Sequence, residues 1–327
     1  MTDTARAVDE AADALARGEL VAIPTETVYG LAARADDDAA VARIFAAKGR
    51  PSDHPLIVHV ADAAAAEAFA AELPASARRL MSAFWPGPLT LVVPRRPGMA
   101  TAAAAGQATI ALRMPSHPVA LALLRAAATR GVRGVAAPSA NRFGRVSPTR
   151  AEHVRMEFGP ALRVLDGGPC EVGIESAIVD CTRDPPTLLR PGQIERQRIE
   201  AVLGQPLAER DAASPRASGT LAIHYAPRAA VRVLGSTELA RRVQAPPGPA
   251  DRGVAVYSRL VPAQGWLHRR MPEDAAALAQ ELFAALRAFD EAGAETIWLE
   301  SLPEGGEWEG VLDRITRAAA AAPPAGQ

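Results

Sequence analysis

Lysine and asparagine are almost missing from this chain: Lys48 is the single lysine among 36 Lys and Arg residues, and Asn141 is the single asparagine. The excess of Ala, Arg and Pro points to a base composition that disfavours Lys and Asn codons, under which a residue needed only for charge or for an amide drifts to something else. The two survivors are expected where no substitute works. A planar guanidinium cannot replace a compact, strongly hydrated ammonium that must reach a phosphate oxygen. Aromatic residues are scarce, at 4%, which removes the stacking platforms that hold single-stranded nucleic acid. A formal net charge of -1 excludes a global basic field, so any polyanion must be held by a local site.

Other absences narrow the class further. The two cysteines, Cys170 and Cys181, have neither zinc-type spacing nor the numbers for a disulfide framework, and are expected as small buried hydrophobes in a reducing cytoplasm. No apolar run approaches membrane-spanning length, and the acidic stretch from Met1 to Glu10, without an apolar centre, does not resemble a signal peptide. The expected location is cytoplasmic. There is no Walker-type phosphate loop, no Gly-x-Gly-x-x-Gly after a strand, no His-Glu-x-x-His and no nucleophile elbow.

What is present is an ordinary globular composition, 49% hydrophobic and 22% charged over 327 residues, enough for one large domain and a smaller one. Strand-like runs at 18–25, 55–60, 89–93, 108–114, 132–137, 174–181 and 187–190 alternate with helical patterns at 36–48, 62–72 and 74–84. Asp36-Asp37-Asp38 supplies an N-cap, and Gly49 with Pro51 a stop, for the helix that ends at Lys48. From Gln205 to Arg216 the periodicity fades into a stretch rich in Pro, Ala and Ser, continued by an extended connector to Pro227. Strands at 231–235, 254–258 and 297–301 and helices at 273–291 and 307–320 then predict a small second α/β domain.

Polar groups recur at the ends of these strands, where open α/β sheets bind ligands. They lie in Pro24-Thr25-Glu26-Thr27-Val28-Tyr29-Gly30-Leu31, in Lys48-Gly49-Arg50-Pro51-Ser52-Asp53-His54-Pro55-Leu56 and at His59. Further groups follow in Ala111-Leu112-Arg113-Met114-Pro115, Pro138-Ser139-Ala140-Asn141, Ser147-Pro148-Thr149, Gly173-Ile174-Glu175-Ser176 and Leu189-Arg190-Pro191-Gly192. In order and wording these motifs resemble the YrdC-like threonylcarbamoyl-AMP synthase family over about residues 8–200, and His224-Tyr225-Ala226-Pro227 looks like its long, two-domain form. The chain departs from the common pattern at Phe143, where many members carry serine before the glycine, and at Ala177, where threonine is common.

The resemblance implies an α/β fold: a YrdC-like twisted mixed sheet with helices around a concave nucleotide site at 1–204, a linker or lid at 205–229, and a smaller Rossmann-like α/β domain at 230–327. It implies an L-threonylcarbamoyladenylate synthase, a nucleotidyltransferase that joins L-threonine, bicarbonate and ATP and releases pyrophosphate, serving threonylcarbamoyl modification of adenosine beside the tRNA anticodon. A downstream tRNA threonylcarbamoyl transferase is the implied protein partner, with no membrane and no stable nucleic-acid binding. Lys48 and Arg50 are the implied catalytic cations. ATP is expected on Lys48, Arg50, Ser52, Thr109, Ser139, Asn141, Ser147, Arg190 and Tyr225, and L-threonine on Thr25, His59, Arg113, the backbone of Ala137, and Ser176. Magnesium is expected to be held through the phosphates, because the sequence offers no carboxylate cluster for it. Residues 214–227 are expected to act as a lid that excludes water. The alternative is an RNA-binding or ribosome-assembly module without catalysis.

Overall fold

Asp37 and Gly49 bracket the helix that delivers the lone lysine. The Asp37 carboxylate accepts the Ala39 and Ala40 amides at 2.9 and 3.2 Å, and Gly49 takes the left-handed φ of 63° that ends the helix. The protein is described here as a computed structural model covering residues 3–321; residues 1–2 and 322–327, the outer ends of the two expected domains, lie outside the described residues. The chain separates into two units, one of residues 1–143 and 147–220 and one of residues 144–146 and 221–327.

In chain order the first unit contains α1 (Asp3–Ala16), β1 (Val21–Ile23), β2 (Gly30–Arg34), α2 (Asp38–Lys48), β3 (Ile57–His59), α3 (Ala63–Ala66), α4 (Ala75–Phe84) and β4 (Leu89–Pro94). It continues through β5 (Thr109–Arg113), α5 (Pro118–Ala128), β6 (Val135–Ala136), α6 (Ala151–Phe158) and β7 (Arg163–Val164). It closes with β8 (Ala177–Asp180), β9 (Thr187–Arg190), α7 (Arg196–Leu203) and β10 (Ala208–Glu209). Among the described residues its ten strands form one mixed sheet in the order β10-β9-β8-β4-β5-β3-β6-β2-β1-β7. The expected mixed α/β class is therefore the observed one.

Two helices not anticipated from periodicity, α1 and α5, pack on each other. Val8, Ala11, Ala12 and Leu15 meet Leu123, Leu124 and Ala127 over Val21 and Ile23. A larger core beneath α2, α4 and α7 holds Tyr29, Ile44, Phe69, Leu80, Leu91, Leu112 and Ile199. The helix expected over 62–72 stops at Ala66. Phe69 is wholly buried, and the Ala71 amide bonds to Pro94 O at 2.9 Å, which draws the chain onto the end of β4 and out of helical register. The expected 132–137 strand shrinks to β6, because the Val132 amide is still tied to Ala127 O at the end of α5.

The face that carries α1 and α5 has a second, smaller apolar cluster beyond those helices. This apolar floor is Ile57, Val92, Ile178 and Leu189, with Ala111 and Ala217 packed on it. Alternation along β3, β4 and β5 places His59, Thr90 and Arg113 on this same face. The parallel register of β3 and β5 pairs His59 directly with Arg113.

The second unit carries β11 (Ala230–Leu234), α8 (Ser236–Val243), β12 (Val254–Ser258), β13 (Leu267–Arg270), α9 (Ala275–Glu291), β14 (Thr296–Glu300) and α10 (Glu309–Ala319). Its strands form an all-parallel sheet ordered β11-β14-β12-β13, the expected small α/β domain. Near-continuous apolar strands, such as Ile297-Trp298-Leu299, suit a parallel sheet buried on both faces. Gly144–Val146 groups with this unit: Gly144 O accepts the Ala226 amide at 2.9 Å, Arg145 pairs with Asp290 at 3.6 Å, and Arg287 donates to Val146 O.

Candidate active site

The turn after β1 is built by one hydroxyl. Thr25 Oγ1 donates to Val28 O at 2.6 Å, accepts the Thr27 and Val28 amides at 3.2 Å, and lies 2.9 Å from Thr27 Oγ1. Its local bonds make it a turn-builder, which places Glu26 and Thr27 toward Arg113. Arg113 is buried and donates through Nε to Gly87 O at 3.2 Å and through Nη1 to Thr27 Oγ1 at 2.9 Å, while Nη2 lies 2.6 Å from Glu26.

His59 stands beside Arg113 with Nδ1 buried and without a hydrogen-bond partner. Burial, reinforced by the Arg113 charge, pushes its pKa from 6.5 down to about 3, so the folded protein holds a neutral imidazole. The unfolded chain gains a proton on this residue as pH falls from 6.5 toward 3 and the folded one does not, so this group lowers stability as the pH falls across that window. Accordingly His59→Gln should flatten the acid limb of the urea-unfolding stability profile between those limits. An unchanged slope would mean that His59 titrates normally in the fold.

Ser176 is fixed from two sides. Its Oγ lies 2.7 Å from Thr90 Oγ1, and its carbonyl accepts Arg190 Nε and Nη2 at 3.1 and 2.8 Å. Nη1 of the same arginine donates to Ser218 O at 2.8 Å, tying residue 218 to the site, and Arg50 Nη2 lies 3.5 Å from Ser218 Oγ. Gly192 explains the glycine of the Arg190-Pro191-Gly192 motif: a Cβ there would stand 2.3 Å from Ala177 N and 2.8 Å from Ser176 C. The replacement Gly192→Ala must shift the Ser176 backbone, and a cost of about 1–3 kcal/mol is expected for such overpacking. Denaturant unfolding would register that loss, and a stability equal to the parent's would show that the backbone can yield.

Lys48 is buried at the end of α2 and donates from Nζ to Ser139 O at 2.6 Å and Asn141 O at 2.5 Å. Burial first, and then the Arg50 charge, push the ammonium well below its ordinary pKa. The negative charge of a bound polyanion would oppose both effects and favour the charged form. The Ser139-Ala140-Asn141 turn is itself pinned to the first motif, through Ala140 N to Tyr29 O and Leu31 N to Pro138 O, each 2.7 Å. Ser147 Oγ hydrogen-bonds Glu175 at 2.5 Å, and Asn141 is buried with Nδ2 on Arg142 O at 2.7 Å.

The structure thus brings Lys48, Ser139 and Asn141 together, and separately joins Arg190 to Ser176 and pairs Arg113 with His59 across two strands. Ala137 is buried, with its amide on Ile57 O at 3.0 Å, on the strand end leading to the Ser139 turn. Ser52 sits exposed in the turn after α2 and Thr109 is half-buried at the start of β5. Tyr225 belongs to the second unit, where it stacks on Phe283 at 5.5 Å beneath Arg314. Glu26, Thr27, Thr90, Glu175 and Ser218 were not anticipated as participants. Thr90 was legible as a hydroxyl interrupting the apolar run of β4, and Glu26 and Thr27 as polar residues inside a buried motif. Among the described residues no group of three or more His, Cys, Asp or Glu side chains converges. No helix among the described residues is long and apolar enough to cross a membrane.

Comparison with known proteins gives two family matches that together span most of the chain. Residues 13–192 match the family described as "Telomere recombination", and residues 194–320 match "Threonylcarbamoyl-AMP synthase, C-terminal domain". A threonylcarbamoyl-AMP synthase of Bacillus subtilis is 40% identical over 95% of this chain and 92% of its own length. One from Pyrococcus abyssi is 39% identical over 94% and 92%. The crystal structure of Pyrococcus abyssi Sua5 complexed with L-threonine superposes with a TM-score of 0.86 at 38% identity, covering 95% of this chain and 94% of that one.

Proposed function

The chain belongs to the threonylcarbamoyl-AMP synthase family, and on that premise we propose that it joins L-threonine, bicarbonate and ATP into threonylcarbamoyl-AMP with release of pyrophosphate. The observation that carries this reading is the buried Lys48 ammonium on the carbonyls of Ser139 and Asn141, in the same unit as a buried arginine with fork donors left for a carboxylate. In this reading the threonine amine captures carbon dioxide as a carbamate. A carbamate oxygen attacks the α-phosphorus, and pyrophosphate leaves. No covalent protein nucleophile takes part, so the work is positioning and charge neutralisation.

Lys48 and Arg50 would neutralise the triphosphate as charge moves onto the leaving pyrophosphate. Ser139, Asn141, Ser147 and Arg190 would line the nucleotide, with Ser52 and Thr109 completing the set within the first unit. Arg113 would clamp the threonine carboxylate, and neutral His59, Ser176 and the Ala137 backbone would surround the side chain. Thr25 would act by shaping the turn. Magnesium would be carried in on the phosphates and held by them. Residues 214–227 would serve as a lid; Ala217 on the apolar floor and Ser218 on Arg190 support that reading for the part within the first unit. The product would pass to a tRNA threonylcarbamoyl transferase in the cytoplasm, for modification of adenosine next to the anticodon.

The test is incubation with labelled bicarbonate and ATP alongside each of several amino acids. A labelled adenylate and pyrophosphate are expected with L-threonine. Pyrophosphate release independent of both threonine and bicarbonate would refute the reading.

A further inference from the structure

Glu26 has no part in the mechanism above, yet it is one of the costliest side chains in the site. It is 2% exposed, and neither carboxylate oxygen makes a hydrogen bond. It forms an ion pair with Arg113 Nη2, whose 2.6 Å approach is a contact without hydrogen-bond alignment. A buried carboxylate held for structure alone is normally saturated. Glu300 in the second unit shows that pattern, accepting from Ser236 Oγ at 2.8 Å, from the Arg259 amide at 2.7 Å and from Arg259 Nη2 at 3.0 Å. Glu26 is built differently, with both oxygens lacking donors in the interior.

Charge accounts for the difference. Around Arg113 the pocket holds one guanidinium, one carboxylate and an imidazole kept neutral, so it is balanced when empty. An α-amino acid is also balanced, as a carboxylate and an ammonium on the same carbon. Arg113 binds Gly87 O and Thr27 Oγ1 with two of its five N–H donors, leaving donors on its outer fork for the substrate carboxylate. The ammonium, fixed on the adjacent carbon, then falls beside the group already resting on that guanidinium. We infer that Glu26 is a specificity-determining residue, which receives the α-ammonium of the amino-acid substrate on its unbonded oxygens and so separates an α-amino acid from an α-hydroxy acid of the same shape.

This rests on the threonine-site reading, and the experiment separates the two. Calorimetric titration at neutral pH, without ATP, would measure L-threonine and its α-hydroxy analogue of matching configuration on the full chain and on Glu26→Gln. The wild type should prefer threonine. In Glu26→Gln the pocket gains a net positive charge, so threonine should weaken while the anionic analogue holds or improves, and the ratio of dissociation constants should fall by about tenfold or more. An unchanged ratio would overturn the inference, including the case in which both ligands weaken equally because Glu26 only props Arg113. Should the glutamine variant not fold, the wild type still decides: equal affinity for the two ligands overturns the idea with no variant at all. A wild type that binds neither ligand would instead sink the threonine site itself, and this inference with it.

Discussion

Lys48→Ala is expected to fold and to release pyrophosphate roughly a hundredfold or more slowly than the parent, the scale for removing one preorganised donor from a developing charge. Folding should survive because two effects oppose each other. The Ser139 and Asn141 carbonyls lose their donor, a loss of about 1–3 kcal/mol for groups left unsatisfied. Against it, a desolvated ammonium whose charged form is already disfavoured is removed from the interior. Lys48→Arg should fare no better, since a planar fork cannot keep both short carbonyl bonds and present one point charge to a phosphate. Pyrophosphate release by folded Lys48→Ala at close to the parental rate would refute the assignment.

Arg113→Lys should weaken L-threonine binding by about tenfold to a hundredfold, corresponding to the ~1.5–3 kcal/mol of a hydrogen bond to a charged group. ATP affinity should be unaffected. Lysine keeps a cation for Glu26 but loses the parallel donors that read a carboxylate. Arg113→Ala is a different experiment, because it strands Glu26 as a buried charge at a cost of about 3–5 kcal/mol. A lowered unfolding midpoint is expected there and not in the lysine variant. Unaltered threonine affinity in Arg113→Lys would move the carboxylate site elsewhere.

The parts of the site that were legible in the sequence are those that chemistry marks at a single position. A lone lysine and a lone asparagine stood out against an arginine-rich background, and the structure holds them together through Lys48 Nζ and Asn141 O. The Asp37 cap and the Gly49 stop were legible for the same reason, since each acts on its own few residues. Thr25 was read as a ligand contact, and the structure adds a role the motif does not state: its hydroxyl bonds within the turn it builds.

Sequence by itself determined the mixed α/β class, the strand-end position of the polar motifs, the small second α/β domain and the family. These are consequences of periodicity, of capping and of motif order along the chain, which need only neighbouring residues. Tertiary structure alone decided that Glu26 rests on Arg113, that Arg190 holds the Ser176 carbonyl, that His59 is neutral and that the 62–72 helix breaks so Phe69 can reach the core. Each depends on groups far apart in sequence meeting where water is excluded, and the strength of a charge or a hydrogen bond there is set by burial, which no local pattern records.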